Sequence, residues 1–182
     1  MPGEHRPASW LEVIRAGEAF HASVSREPRP DFLDRRTHRW AIADRVAWDE
    51  LPFRPYVDIP HVAALAAARK PIAAASQIVH GDLSGNVLLA DGQPPAIIDL
   101  TAYWRPPPYA SAIVVADGLV WEGAADALLD TASDVVEFGQ YLIRALIFRL
   151  LSDPPVAEGT AGAGEVDHPY SAAVEAALQM AT

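Results

Sequence analysis

Apolar residues recur at helical spacing early in the chain and give way to short extended runs in its middle. Trp10, Ile14, Gly17, Phe20 and Val24 fall on one face, which predicts an amphipathic helix. Ser9-Trp-Leu-Glu12 has the capping-box spacing, in which a hydroxyl and a carboxylate satisfy free amides at the helix start. Pro28 and Pro30 end that helix. A shorter helix is expected over 37–50, anchored by Trp40, Val46 and Trp48. Pro60 suits a first helical position, and an Ala-rich helix is expected over 61–70, with Arg69 and Lys70 favouring its negative dipole end before Pro71 stops it.

The period then shortens. Gln77-Ile-Val-His80, Asn86-Val-Leu-Leu89 and Ala96-Ile-Ile-Asp99 read as short strands. The last two flank Asp91-Gly92, a strong turn signal, so a small hairpin preceded by a loop is predicted inside a helical domain. After Pro106-Pro-Pro108 helical spacing returns, at 109–121, 124–129 and 133–151, with Ser133 a candidate cap. A Gly/Ala/Pro-rich linker and a weak terminal helix over 170–180 follow. The expected class is α+β, mainly α-helical: a helical lobe over 1–152, a linker over 153–168 and a terminal helix over 169–182. There is no internal repeat.

Composition narrows the picture. A chain of 182 residues that is 51% hydrophobic can bury one substantial core. With no cysteine there are no disulfides, thiolate metal sites or cysteine nucleophiles, which fits a reducing cytoplasm. A formal net charge of −10 without a basic stripe argues against a nucleic-acid partner. Arg35, Arg36, Arg39 and Arg45 are interspersed with acids and read as a solvated helix face. The most apolar stretch, 135–151, carries Glu137, Gln140, Arg144 and Arg149 and reads as a buried helix rather than a membrane span. No targeting segment is evident near Met1, so the expected setting is cytoplasmic, without membrane partners.

The chemistry concentrates in His80-Gly81-Asp82-Leu83-Ser84-Gly85-Asn86 and the hairpin ending at Asp99. Phosphoryl transfer to a hydroxyl needs a carboxylate beside the attacking oxygen and oxygen ligands that hold Mg²⁺ against nucleotide phosphates. A polar loop carries Asp82 and Asn86, and the hairpin returns Asp99 beside it at the end of an apolar strand, a rigid mount for a ligand.

On these residues the chain resembles the aminoglycoside and choline phosphotransferase family, relatives of the protein kinases. The stretch over 79–121, including Tyr103-Trp104-Arg105-Pro106, is similar especially to an actinobacterial branch of that family. The resemblance implies a kinase-like carboxy-terminal lobe, with ATP and Mg²⁺ as cofactors and a small-molecule hydroxyl as acceptor. Asp82 then corresponds to the catalytic base, Asn86 and Asp99 to the Mg²⁺ ligands, and His80 to a residue that organises the loop. Asp117, in Val114-Val-Ala-Asp117, corresponds to a buried helix aspartate that braces the loop through backbone amides; on its own it reads equally well as an exposed helix residue.

Two features depart from the family pattern. Asp82 and Asn86 lie four positions apart rather than the usual five, a shortening that Gly85 accommodates by turning. Before Gly81 the only glycines are Gly3 and Gly17, so there is no Gly-rich phosphate loop, and the sole lysine, Lys70, lies at a helix end instead of on a strand. The amino-terminal, nucleotide-clamping lobe is therefore expected to be missing through truncation, and to be encoded upstream or as a separate chain. The competing expectation is a catalytically silent pseudoenzyme or interaction domain that keeps the helical lobe as a scaffold.

Other features read more plainly. The five remaining histidines show no metal-ligand spacing. Gly159-Thr-Ala-Gly162-Ala-Gly164 lacks the preceding strand a nucleotide loop needs and reads as linker. Trp104 and Arg105 are expected to pack a post-hairpin loop, and Asp126, Asp130, Asp134 and Glu137 to form a solvated acidic face.

Overall fold

The computed structural model describes residues 6–121, 126–132, 134–152 and 169–181. Helices α1 (Trp10–Ser23), α2 (Arg39–Ala47) and α3 (Val62–Ala68) come first. Strands β1 (Gln77–His80), β2 (Val87–Leu88), β3 (Ala96–Ile97) and β4 (Ala102–Arg105) follow, then α4 (Pro108–Trp121), α5 (Asp126–Asp130), α6 (Phe138–Ser152) and α7 (Ser171–Met180). Short 3-10 turns lie at Asp31–Arg35 and Arg54–Tyr56. The architecture is mainly helical, as the hydrophobic pattern predicts, with two small two-stranded antiparallel sheets, β1–β4 and β2–β3. Among the described residues no helix is long and apolar enough to cross a membrane.

Helix α6 is the organising element. Every residue from Phe138 to Phe148 is buried, so it lacks the solvated face of a surface helix. Helices α2, α3, α4 and α7 pack around it. The terminal helix belongs to the same core: Ala173, Val174 and Ala177 are buried, and a side chain on Gly139 would meet the Met180 backbone at 2.7 Å. Helix α1 lies against α4 and β1, and its capping box forms as predicted, with the Ser9 amide donating to Glu12 Oε2 at 2.9 Å and the Glu12 amide to Ser9 Oγ at 3.4 Å.

Three local expectations are revised. Helix α3 is shorter than 61–70: His61 precedes it in the left-handed region (φ 69°), and Arg69 is extended. Arg69 consequently serves mainly the end of α2, donating to the Val46 carbonyl at 2.6 Å and to Asp49 at 3.0 Å. The backbone that leaves α3 is satisfied from α6 instead, where Gln140 Oε1 accepts from the Lys70 amide at 2.6 Å and Arg144 donates to the Lys70 carbonyl at 2.7 Å. Secondly, α6 starts at Phe138, after Glu137 at φ 59°, and not at 133. Ser133 and the whole expected linker over 153–168, with its Gly159–Gly164 run, lie outside the described residues.

The third revision bears on the site. Hairpin β2–β3 forms as predicted, pairing Val87 with Ile97 and Leu88 with Ala96. Residues 102–105, expected to be loop, form a strand that pairs antiparallel with β1, from Gln77↔Arg105 to His80↔Ala102. Tertiary contacts stabilise this strand. Arg105 donates to both Asp44 oxygens (3.1 and 2.6 Å) and to Glu50 at 2.5 Å, a two-pronged buried pairing that ties β4 to α2. Arg105 thus packs and pairs, whereas Trp104 stays partly exposed.

Candidate functional site

The segment between β1 and β2 is held against the segment between β3 and β4. Beyond the β1–β4 ladder, the Gly81 amide donates to the Thr101 carbonyl at 2.8 Å. A side chain at position 81 would come within 2.3 Å of the Tyr103 ring, so only glycine lets the two segments approach this closely. Leu83 turns inward, 1% exposed, onto Gly17 of α1. Gly85 takes φ 79°, and the Asn86 amide donates back to the Leu83 carbonyl at 2.9 Å, which closes the tight turn that the shortened spacing requires. The Ile98 amide then donates to the Asn86 carbonyl at 3.0 Å. Continuing the β2–β3 register, Asn86 lies opposite Ile98, immediately before Asp99. Asp82, Asn86 and Asp99 therefore flank one antiparallel crossing.

His80 is fully buried behind this crossing. Its Nδ1 accepts from the Asp82 amide at 3.1 Å, which assigns the ring hydrogen to Nε2, where it donates to the Ile98 carbonyl at 3.1 Å. One imidazole thus ties the loop to the strand that leads into Asp99. The His80 amide in turn donates to Nε2 of His21, on α1, at 3.1 Å. The hydrogen of His21 then sits on Nδ1, which has no hydrogen-bond partner. Burial, with a smaller push from His80, lowers the His21 pKa to about 4, so His21 is neutral at neutral pH.

The side chain of Asp82 meets α6. Arg149 Nη2 donates to Asp82 Oδ1 at 3.0 Å, and the same guanidinium forms a fork on Asp117, with Nε to Oδ1 at 2.7 Å and Nη2 to Oδ2 at 2.6 Å. Ser84 Oγ donates to Asp117 Oδ2 at 2.6 Å. Burial alone would lower the Arg149 pKa, but the Asp117 and Asp82 carboxylates outweigh it and hold the guanidinium above its ordinary range. Asp117 is buried, and it reaches the loop through the Ser84 hydroxyl and the Arg149 guanidinium, where the resemblance implied backbone amides. No spacing or motif in the sequence gives Arg149, Ser84 or His21 a role in the site. The one available signal for Arg149 was a cation inside a helix otherwise apolar enough to be fully buried.

Asn86 and Asp99 suit the ligand role implied for them. Asn86 Nδ2 donates to the Asp82 carbonyl at 2.7 Å, which fixes the amide and leaves its Oδ1 as the atom available to a cation. Asp99 is exposed and sits in the left-handed region at φ 50°, a conformation that aspartate and asparagine adopt more readily than most residues. Among the described residues no three histidine or acidic side chains cluster as a metal cage. Magnesium typically takes one or two protein oxygens and completes its shell with phosphate and water. Beside Asp82 a cavity of about 450 Å³ opens, bounded by Gly81, Thr101 and Arg149.

The fold, mainly helical with two small strand pairs that hold a polar loop, is compatible with a kinase-like fragment. Residues 1–133 match the model of the phosphotransferase enzyme family, and the chain belongs to that family. No curated protein and no solved structure gives a significant match.

Proposed function

We propose that this chain supplies the acceptor side and the metal side of an ATP-dependent transfer of the γ-phosphoryl group to a small-molecule hydroxyl. The observation that carries the reading is the crossing itself, which sets Asp82 beside a cavity and Asn86 and Asp99 on the adjoining segments. Arg149 holds one oxygen of Asp82. The other is left to accept the acceptor's hydroxyl hydrogen as its oxygen bonds to phosphorus and the bond from phosphorus to the ADP oxygen breaks. Asn86 Oδ1 and the Asp99 carboxylate would hold Mg²⁺, which supplies charge neutralisation at the phosphates. The bond from Asn86 Nδ2 to the Asp82 carbonyl fixes the asparagine before substrate arrives.

Clamping the nucleotide requires more than these residues. Lys70 is not positioned for it, since its ammonium donates to the Ala181 carbonyl at 2.7 Å beside the end of α7. In the proposed reaction a glycine-rich loop and a strand lysine come from polypeptide outside this sequence, whether contiguous or separately encoded.

The test is Mg²⁺-dependent ATP binding and phosphoryl transfer, measured on this chain and on the product of the gene including its upstream coding sequence. Transfer that Asp82→Asn abolishes supports the proposal. Absence of Mg²⁺-nucleotide binding with the upstream sequence in place overturns it and leaves a silent scaffold domain.

A further inference from the structure

The cavity beside Asp82 has a chemistry of its own. Phe32, Trp40 and Leu100 line it and are about half exposed, at 48%, 43% and 52%, although large apolar side chains are normally withdrawn from water. Tyr103 and Phe148 form its inner wall, their rings edge to face at 5.7 Å. The charged groups on the lining are two arginines and one aspartate: Arg36, Arg149 and Asp82. Asp82 is already matched by Arg149, and Arg36 lies over the Tyr103 ring at 4.8 Å. In a protein of net charge −10, this cavity carries no surplus of negative charge.

We infer that this cavity is the acceptor subsite and that its substrate is an apolar, ring-containing alcohol without ammonium groups, which rests on the reading of Asp82 as the residue that receives the hydroxyl hydrogen. A volume of about 450 Å³ lies within the range of small-ligand pockets. Aromatic and aliphatic walls gain from burying a ring, while a polyamine would meet Arg36 and Arg149 and find only one carboxylate, already paired. Trp40 and Phe32 offer ring surface at the cavity to a flat body. The alcohol's hydroxyl is the group left to reach Asp82. The same walls select against aminated sugars, whose charge and hydration both oppose transfer into an apolar cavity.

Binding is measurable without nucleotide, so it can be read separately from transfer. The probes are 2-naphthalenemethanol and the polycationic aminoglycoside kanamycin, each titrated into the purified chain at physiological ionic strength by ligand-observed NMR. The expected result is saturable binding of the naphthyl alcohol, weakened fivefold or more by Trp40→Ala or by Phe32→Ala and unchanged by Trp121→Ala, whose side chain is 62% exposed and does not line the cavity. Thermal melts of each variant identify any that fail to fold, and having two cavity variants keeps the comparison decisive. No binding up to the solubility limit, binding that neither cavity variant weakens, or tighter binding of kanamycin overturns the inference. Phosphoryl transfer to an aminated acceptor would sink this inference and leave the phosphotransfer reading intact; naphthyl-alcohol binding without any transfer, with the upstream coding sequence in place, would overturn the phosphotransfer reading and the acceptor role that rests on it, leaving only an apolar binding site.

Discussion

Arg149 and Asp117 form a buried fork, with contacts of 2.7 and 2.6 Å, and the same guanidinium reaches Asp82 at 3.0 Å. The side chain of Asp117 is 7% exposed and that of Asp82 43%. The two carboxylates therefore depend on Arg149 in different ways. For Asp117 the pairing compensates burial of its charge; for Asp82 it is an orienting contact at the edge of water.

Arg149→Ala is expected to cost about 3–5 kcal/mol, because removing one member of a buried pair strands the other. Arg149→Met combined with Asp117→Leu removes both charges and is expected to recover most of that stability. It should not recover activity, since Asp82 loses its orienting partner. Urea denaturation of the two variants decides the first point and phosphoryl transfer the second; equal losses of stability would show that the pair is not coupled.

Asp82→Asn keeps the shape of the loop and is expected to change stability by less than about 1 kcal/mol, because its ion pair is partly solvated. Transfer is expected to fall by about 10²–10⁴-fold, the usual contribution of a positioned general base. The measurement is kcat alongside the melting temperature. A large loss of stability at unchanged kcat would make Asp82 structural.

Asp99 separates backbone from chemistry. At φ 50°, Asp99→Asn is expected to leave stability within about 0.5 kcal/mol, whereas Asp99→Val should cost about 1–3 kcal/mol because a β-branched residue resists the left-handed region. Both are expected to weaken Mg²⁺-dependent nucleotide binding. Isothermal titration of Mg²⁺–ATP into Asp99→Asn is the discriminating measurement, and unaltered affinity would remove Asp99 from the ligand set.

The buried His21 predicts an acid-sensitive fold. Its pKa falls from 6.5 to about 4 on folding, so between those values the unfolded chain binds the extra proton. Stability is therefore full above pH 6.5 and declines as pH falls towards 4, by about 3 kcal/mol from this group. His21→Leu is expected to lower stability at pH 7, because the His80 amide loses its acceptor, and to flatten the slope between pH 4 and 6.5. Chemical denaturation across that range gives both quantities; an unchanged slope in the variant would exclude His21 as its source.

What could be read from the chain alone was local. The Ser9–Glu12 cap and the Asp91-Gly92 turn with its flanking strands rest on contacts between near neighbours, and such contacts leave a spacing in the sequence. The loop from His80 to Asn86 stands out in the sequence because its polar residues lie close together between apolar strand-like runs. Tertiary structure decided the rest. Pairing of β1 with β4 brings Gln77 to Arg105, and a strand at 102–105 is stabilised from α2, far away in sequence. Arg149 lies 67 positions from Asp82, and His21 lies 59 from His80. No period or motif links such partners. Their meeting depends on how α1 and α6 pack on the loop, and packing is set by the whole core rather than by any one stretch of it.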